Sequence, residues 1–219
     1  MNELLLVFDA VPLGRFVPLL LEGVGVEVPA GYTAGRLLRE RLGLSAAEIE
    51  ERVGTVCVDG HPLDDLDGQA LGDGSRIALS GALPGLVGAC LRRGSPLASL
   101  RSSISSREAG HGEEGTVTLR LFNLVLPLLG LRLLEQGVVV EGEPLTSFLA
   151  SRPEQFWLSA RAAALDGRAL SLPLSTRDYG LLPEGPVRFV VRATASQPST
   201  DTTTGTGDAH PGQAVRHIA

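Results

Sequence analysis

At 219 residues, with 43% hydrophobic and 20% charged side chains, the chain has the apolar mass for one large or two small globular domains. A net charge of −6 argues against a general nucleic-acid binder, which needs an excess of basic groups to meet phosphate. All 19 basic residues are arginine, so a P-loop lysine, a Schiff-base lysine and lysine conjugation are excluded together. This lysine-free, Arg/Ala/Leu/Gly-rich composition points to a GC-rich bacterial genome. Aromatics make up only 4%, which predicts a core of Leu, Val and Ala.

Residues 1–21 are apolar but carry Glu3, Asp9 and Arg15, with neither a basic n-region nor a small-residue cleavage site, so a signal peptide is not expected. From there the elements follow an internal repeat. Leu6-Val7-Phe8-Asp9 leads through Pro12 to Leu20-Leu21-Glu22 and then Val24-Gly25-Val26-Glu27-Val28-Pro29. Arg120-Leu121-Phe122-Asn123 leads through Pro127 to Leu133-Leu134-Glu135 and then Val138-Val139-Val140-Glu141. Each copy continues into a helical stretch. Thr33 is placed to cap a helix carrying Leu37, Leu38 and Leu42, and Ser45 and Glu48 have capping-box spacing. In the second copy Ser151 and Glu154 repeat that spacing, ahead of the aromatic pair Phe156 and Trp157.

An apolar strand ending in a turn comes next, Val56-Cys57-Val58-Asp59-Gly60 in one copy and Ala162-Ala163-Ala164-Leu165-Asp166-Gly167 in the other. Both Asp-Gly pairs fall where a turn needs positive φ. A short strand closes each copy, Arg76-Ile77-Ala78-Leu79 and Val187-Arg188-Phe189-Val190-Val191. Val117, Leu119 and Leu121 alternate with polar residues, the period of a strand with one buried face. Strand, strand, helix, strand, turn, strand, with short antiparallel hairpins, predicts a small α+β unit present twice.

The predicted organisation is a first domain over residues 1–82, a Gly/Ser/Arg-rich, partly ordered connector over 83–114, a second domain over 115–194 and a disordered Ser/Thr/Gly/Pro-rich tail over 195–219. Residues 1–80 hold 13 acids against 6 arginines, a net −7. Residues 81–112 hold 4 arginines against 1 acid, a net +3, so the connector is drawn toward the acidic first domain. The apolar stretch 121–134 contains Asn123, Pro127 and Arg132 and is too short to span a bilayer. No membrane span and a cytoplasmic location are expected.

No constellation for catalysis or metal binding stands out. Asp64-Asp65-Leu66-Asp67-Gly68 lacks the alternating ligands of a calcium loop and reads as a solvated turn. His61, His111, His210 and His217 are scattered without zinc spacing. Cys57 reads as a small core hydrophobe. Cys90 stands near Arg92 and Arg93, which would lower its pKa if the thiol were accessible, but no base accompanies it. The connector supplies the one candidate site: Leu83, Gly85, Leu86, Val87, Gly88, Cys90, Arg92 and Arg93. These read either as an apolar plug that docks on a partner or on the second domain, or as an anion cradle of backbone amides and guanidinium groups. Docking is the favoured reading.

Residues 4–85 resemble the ubiquitin-like β-grasp proteins of the sulfur-carrier type, the molybdopterin synthase small subunit and the thiamine sulfur carrier. The likeness is carried by Leu6-Val7-Phe8, the helix from Thr33 to Leu42, the strand to Asp59-Gly60, and Leu71-Gly72-Asp73-Gly74-Ser75-Arg76-Ile77-Ala78-Leu79. Residues 113–192 match more loosely. The resemblance implies two tandem β-grasp domains. Family members work through a C-terminal Gly-Gly, whereas here Ala219 follows His217-Ile218 and residues 79–85 run on into the connector. The functional expectation is therefore a non-catalytic protein-binding or adaptor module with another protein as partner and no cofactor. The alternative is a sulfur-carrier-derived protein of molybdopterin or thiamine biosynthesis.

Overall fold

A computed structural model describes residues 1–81, 83–97 and 114–194. The first repeat runs β1 (Asn2–Phe8), α1 (Leu13–Glu22), β2 (Val24–Val28), α2 (Ala34–Arg36), a wider π-type turn over Leu37–Arg41, α3 (Ala46–Arg52), β3 (Thr55–Val58), β4 (His61–Pro62) and β5 (Arg76–Ser80). The connector contributes α4 (Gly85–Leu91). The second repeat runs β6 (Gly115–Leu121), α5 (Val125–Gln136), β7 (Val138–Glu141), α6 (Gly142–Ala150), α7 (Glu154–Leu158), β8 (Ala160–Leu165), β9 (Arg168–Leu170), α8 (Thr176–Tyr179) and β10 (Pro186–Ala193). Apart from α8, the elements recur in the same order. The tail and residues 98–113 of the connector, for which disorder was expected, lie outside the described residues.

Several local expectations hold. The Thr33 hydroxyl accepts a hydrogen bond from the Arg36 amide at 3.1 Å. Ser45 and Glu48 form the reciprocal capping box of α3. Asp59-Gly60 and Asp166-Gly167 are the two-residue turns of the β3–β4 and β8–β9 hairpins, with φ of 52°, 85°, 49° and 78°. That left-handed pair suits the right-handed twist of the flanking strands, and Gly enters it without a Cβ penalty.

Others are corrected. The first two strands of each repeat form no hairpin, because a helix joins them. Phe16, Leu19 and Leu20 of α1 have helical i, i+3, i+4 spacing and bury together. Pro127 lies in the first turn of the connecting helix α5, where its missing N–H removes no intrahelical bond. Ser151 does not cap α7; its hydroxyl donates to the Phe148 carbonyl at 2.7 Å, and Pro153 occupies the cap position. The capping box of the second repeat lies elsewhere, in Ser175 and Asp178 ahead of α8.

The largest correction concerns the sheet. Ten strands form one mixed sheet in the order β4-β3-β5-β6-β2-β7-β10-β1-β8-β9. β5 runs parallel to β6, and β10 runs parallel to β1, so both parallel pairs join strands from different repeats. β1 sits among the strands of the second repeat, between β10 and β8; β6 sits among those of the first, between β5 and β2. The boundaries at residues 82 and 115 thus do not divide two self-contained sheets. The physical reason is the connection type: a tight turn holds consecutive strands side by side, whereas a helix lets the chain cross to the other half before it forms the next strand.

Alternate residues of the strands bury into a single core, among them Leu6, Val26, Ile77, Leu119, Val138 and Phe189, and the helices pack against that face. The core is more aromatic than composition suggests. Phe16 of α1 lies 5.9 Å from Phe8, 5.5 Å from Phe156, 5.9 Å from Phe148 and 6.1 Å from Phe189, ring centroid to centroid. Trp157 meets Phe156 edge-on at 4.9 Å. The opposite face of the sheet carries residues such as Leu5, Cys57, Ala78, Thr118 and Arg120, which are half-buried or exposed.

Candidate docking surface on the connector helix

Pro84 precedes the first turn of α4, a helix of seven residues. Three contacts hold it, the first within the connector and the other two to the body. Gly88 is buried so tightly on Leu83 that a Cβ there would lie 2.1 Å from the Leu83 carbonyl oxygen. Just beyond the helix, the Arg93 amide donates to the Gly54 carbonyl at 2.9 Å. The Arg93 side chain then turns under α3: Nε donates to the Val53 carbonyl and Nη2 to the Ile49 carbonyl, both at 3.3 Å, and Nη2 meets Glu50 at 3.4 Å. A cation is favoured there, at the C-terminal end of the helix where its dipole is negative. The Gly94 amide donates to Asp64 at 3.2 Å. The described part of the connector therefore meets the first repeat mainly through backbone carbonyls, with Glu50 and Asp64 beside them.

With its base fastened, α4 turns Leu86 and Val87 outward at 68% and 71% exposure. Leu83 and Cys90 are half-buried, and Gly85 and Arg92 are exposed. At the root of the helix, Gly81 packs beside Leu124, itself 69% exposed. Leu124, Pro127, Leu128 and Arg52 line an adjoining groove of about 450 Å³. The apolar plug of the sequence reading is thus a helix that presents its most hydrophobic residues to the outside. The anion cradle is not assembled from Gly88 and Arg93, because Gly88 is buried and the Arg93 guanidinium is engaged by α3.

No protein-family model, curated protein or solved structure matches the chain.

Geometry therefore carries the functional reading. Cys57 does not fill the core: Val56 and Val58 do, and Cys57 lies on the opposite face of β3, in register with Ala78 of β5. The acidic run is structural. Asp67 accepts from the Thr33 hydroxyl at 2.8 Å and from Arg39 at 2.8 and 3.0 Å, and Asp65 accepts from the Asp67 amide at 3.0 Å. The Arg39 guanidinium, with help from Thr33, holds the Asp67 carboxyl below its ordinary pKa. Among the described residues no group of three or more His, Cys, Asp or Glu is placed to hold a metal ion. Likewise no described helix is long and apolar enough to cross a membrane.

Leu124 and its groove escaped the sequence reading. The available signal was the spacing of α5: Val125, Leu129 and Leu133 mark the buried stripe, and Leu124 lies just before the helix, off that stripe.

Proposed function

We propose that this chain is a non-catalytic protein-binding module that presents α4 to another protein. The observation that carries the reading is the side-by-side exposure of Leu86 and Val87 on a helix whose C-terminal end is tied to α3 by Arg93. Two large apolar side chains held outward on an ordered helix offer a partner contact area without a large ordering cost. The groove at Leu124 extends this apolar surface along the root of the helix. Derivation from two β-grasp units accounts for the repeated order of elements and for a mixed sheet packed on one helical face, with the first strands of the units exchanged.

A double substitution, L86D with V87D, tests this reading. Both positions are exposed, so the variant is expected to keep the thermal midpoint of the parent protein. Affinity capture from the native host is expected to retain a stoichiometric protein on the parent and to lose it on the variant. Equal retention by both, or a parent protein that elutes alone under every condition, contradicts the proposal.

A further inference from the structure

The open face of the sheet carries a basin whose lining includes no residue of α4. Cys57, Asp59, Gly60, Gly74, Arg76, Ala78 and Arg120 border a basin of about 540 Å³ over β3, β5 and β6. That size lies within the range of small-molecule pockets. Strand register builds it. Ala78 of β5 is paired with Cys57 of β3 on one side and with Arg120 of β6 on the other, while Arg76 is paired with Thr118. Side chains two residues apart on a strand share a face, so Arg76 and Arg120 stand diagonally on neighbouring strands, with Ala78 and Cys57 as the floor on one side and the Arg120 side chain lying over Gly23 on the other.

These two arginines differ from several others in the charge that faces them. Elsewhere, Arg188 meets Glu3 at 3.2 Å, Arg36 meets Glu40 at 2.9 Å and Arg39 meets Asp67 at 2.8 Å. Among the described residues neither the Arg76 nor the Arg120 guanidinium meets a carboxylate or a carbonyl. Asp59, the acid at the rim, turns one carboxylate oxygen to the Arg76 backbone amide at 2.9 Å. The border thus has two positive charges against one negative, in a chain whose net charge is −6.

We infer that this basin binds a small phosphate monoester, with the phosphate between Arg76 and Arg120 and the organic part on Ala78 and Cys57. Two guanidinium forks offer more donors than one carboxylate can accept, whereas a phosphate dianion presents enough oxygens for both. The turns at Asp59-Gly60 and Gly74 close one end, which favours a compact ligand over an extended chain.

Titration calorimetry with phenyl phosphate, against benzoate, phenol and inorganic phosphate at matched ionic strength, tests the site. Saturable binding of phenyl phosphate is expected, with R76Q and R120Q each weakening it about tenfold or more. Benzoate is expected to bind more weakly and phenol not at all. A78D, which keeps both arginines but adds an acid to the floor, is expected to abolish binding and stands in should the arginine variants fail to fold. No binding by the parent protein, or equal binding by parent, R76Q/R120Q and A78D, overturns the inference. Inorganic phosphate bound as tightly as phenyl phosphate also overturns it, because the organic moiety would then contribute nothing.

Discussion

Phe8 and Phe156 meet edge to face with ring centroids 5.2 Å apart, one from the first strand of the first repeat and the other from α7 of the second. The contact belongs to a core that neither repeat builds alone. Cutting the chain between residues 97 and 98 is therefore expected to yield two fragments that do not unfold cooperatively on their own. Each leaves its own first strand without the neighbours it has in the sheet. Mixed, the two are expected to form a 1:1 complex that restores a near-ultraviolet circular dichroism signal. A stable monomeric 1–97 fragment would mean that β1 can take the place of β6 beside β5, and the exchange would then be dispensable.

Phe16 is fully buried and lies against Phe8, Phe148, Phe156 and Phe189. Phe16→Ala leaves a ring-sized void among side chains from two strands and two helices that cannot all collapse into it. A loss of about 3–5 kcal/mol is expected, read from denaturant unfolding. A loss below about 1 kcal/mol would show that the site relaxes, contrary to the close ring packing.

Arg93 ties α4 to α3, and its side chain is only 15% exposed. Arg93→Ala removes donors from two carbonyls as well as the contact with Glu50. Destabilisation of about 1–3 kcal/mol is expected. Arg93→Lys is expected to recover only part of it, since an ammonium lacks the planar fork. Hydrogen exchange at residues 85–91 should accelerate in both variants; unchanged exchange would detach Arg93 from the positioning of α4.

Acid sensitivity follows from exposed carboxylates. Arg161 lowers the pKa of Asp9, Arg39 that of Asp67, and Arg36 with Tyr32 that of Glu40. The Ser45 backbone amide and hydroxyl lower that of Glu48, and the Ser175 hydroxyl and amide that of Asp178. A group whose pKa is depressed on folding contributes stability above its ordinary value, 3.8 for Asp and 4.5 for Glu, and loses it as pH falls through the folded value. The thermal midpoint is thus expected to stay level between about pH 7 and pH 5 and to drop below about pH 4. Asp67→Asn should lower the plateau and flatten the acid limb. A midpoint that already falls near neutrality would place the sensitivity elsewhere.

What could be read in the sequence was local. The capping box at Ser45 and Glu48 and the turns at Asp59-Gly60 and Asp166-Gly167 each depend on a few adjacent residues, and all three formed as expected. Ser151 and Glu154 had the same spacing as Ser45 and Glu48, but helix α6 extended to Ala150 and drew the serine into its C-terminus. Strand pairing was not legible, because β1 has the same alternating pattern whether it pairs with β2 or with β10. In the connector, the apolar residues were visible as a docking candidate, but their outward orientation depends on Gly88 and Arg93 finding Leu83 and α3. The basin at Arg76 and Arg120 brings together residues from different repeats. Only the parallel pairing of β5 with β6 places them side by side.

That exchange of first strands also sets an order of events at the ribosome. β1, with Leu4, Leu5, Leu6, Val7 and Phe8, is synthesised before every other described strand, yet it pairs with β8 and β10, which emerge only after β2 to β7. A sticky, unmated segment must be kept from improper associations until β8 and β10 have been made. Folding of the sheet should therefore be slow, and nascent chains should depend on a holdase that covers β1 until its partners appear.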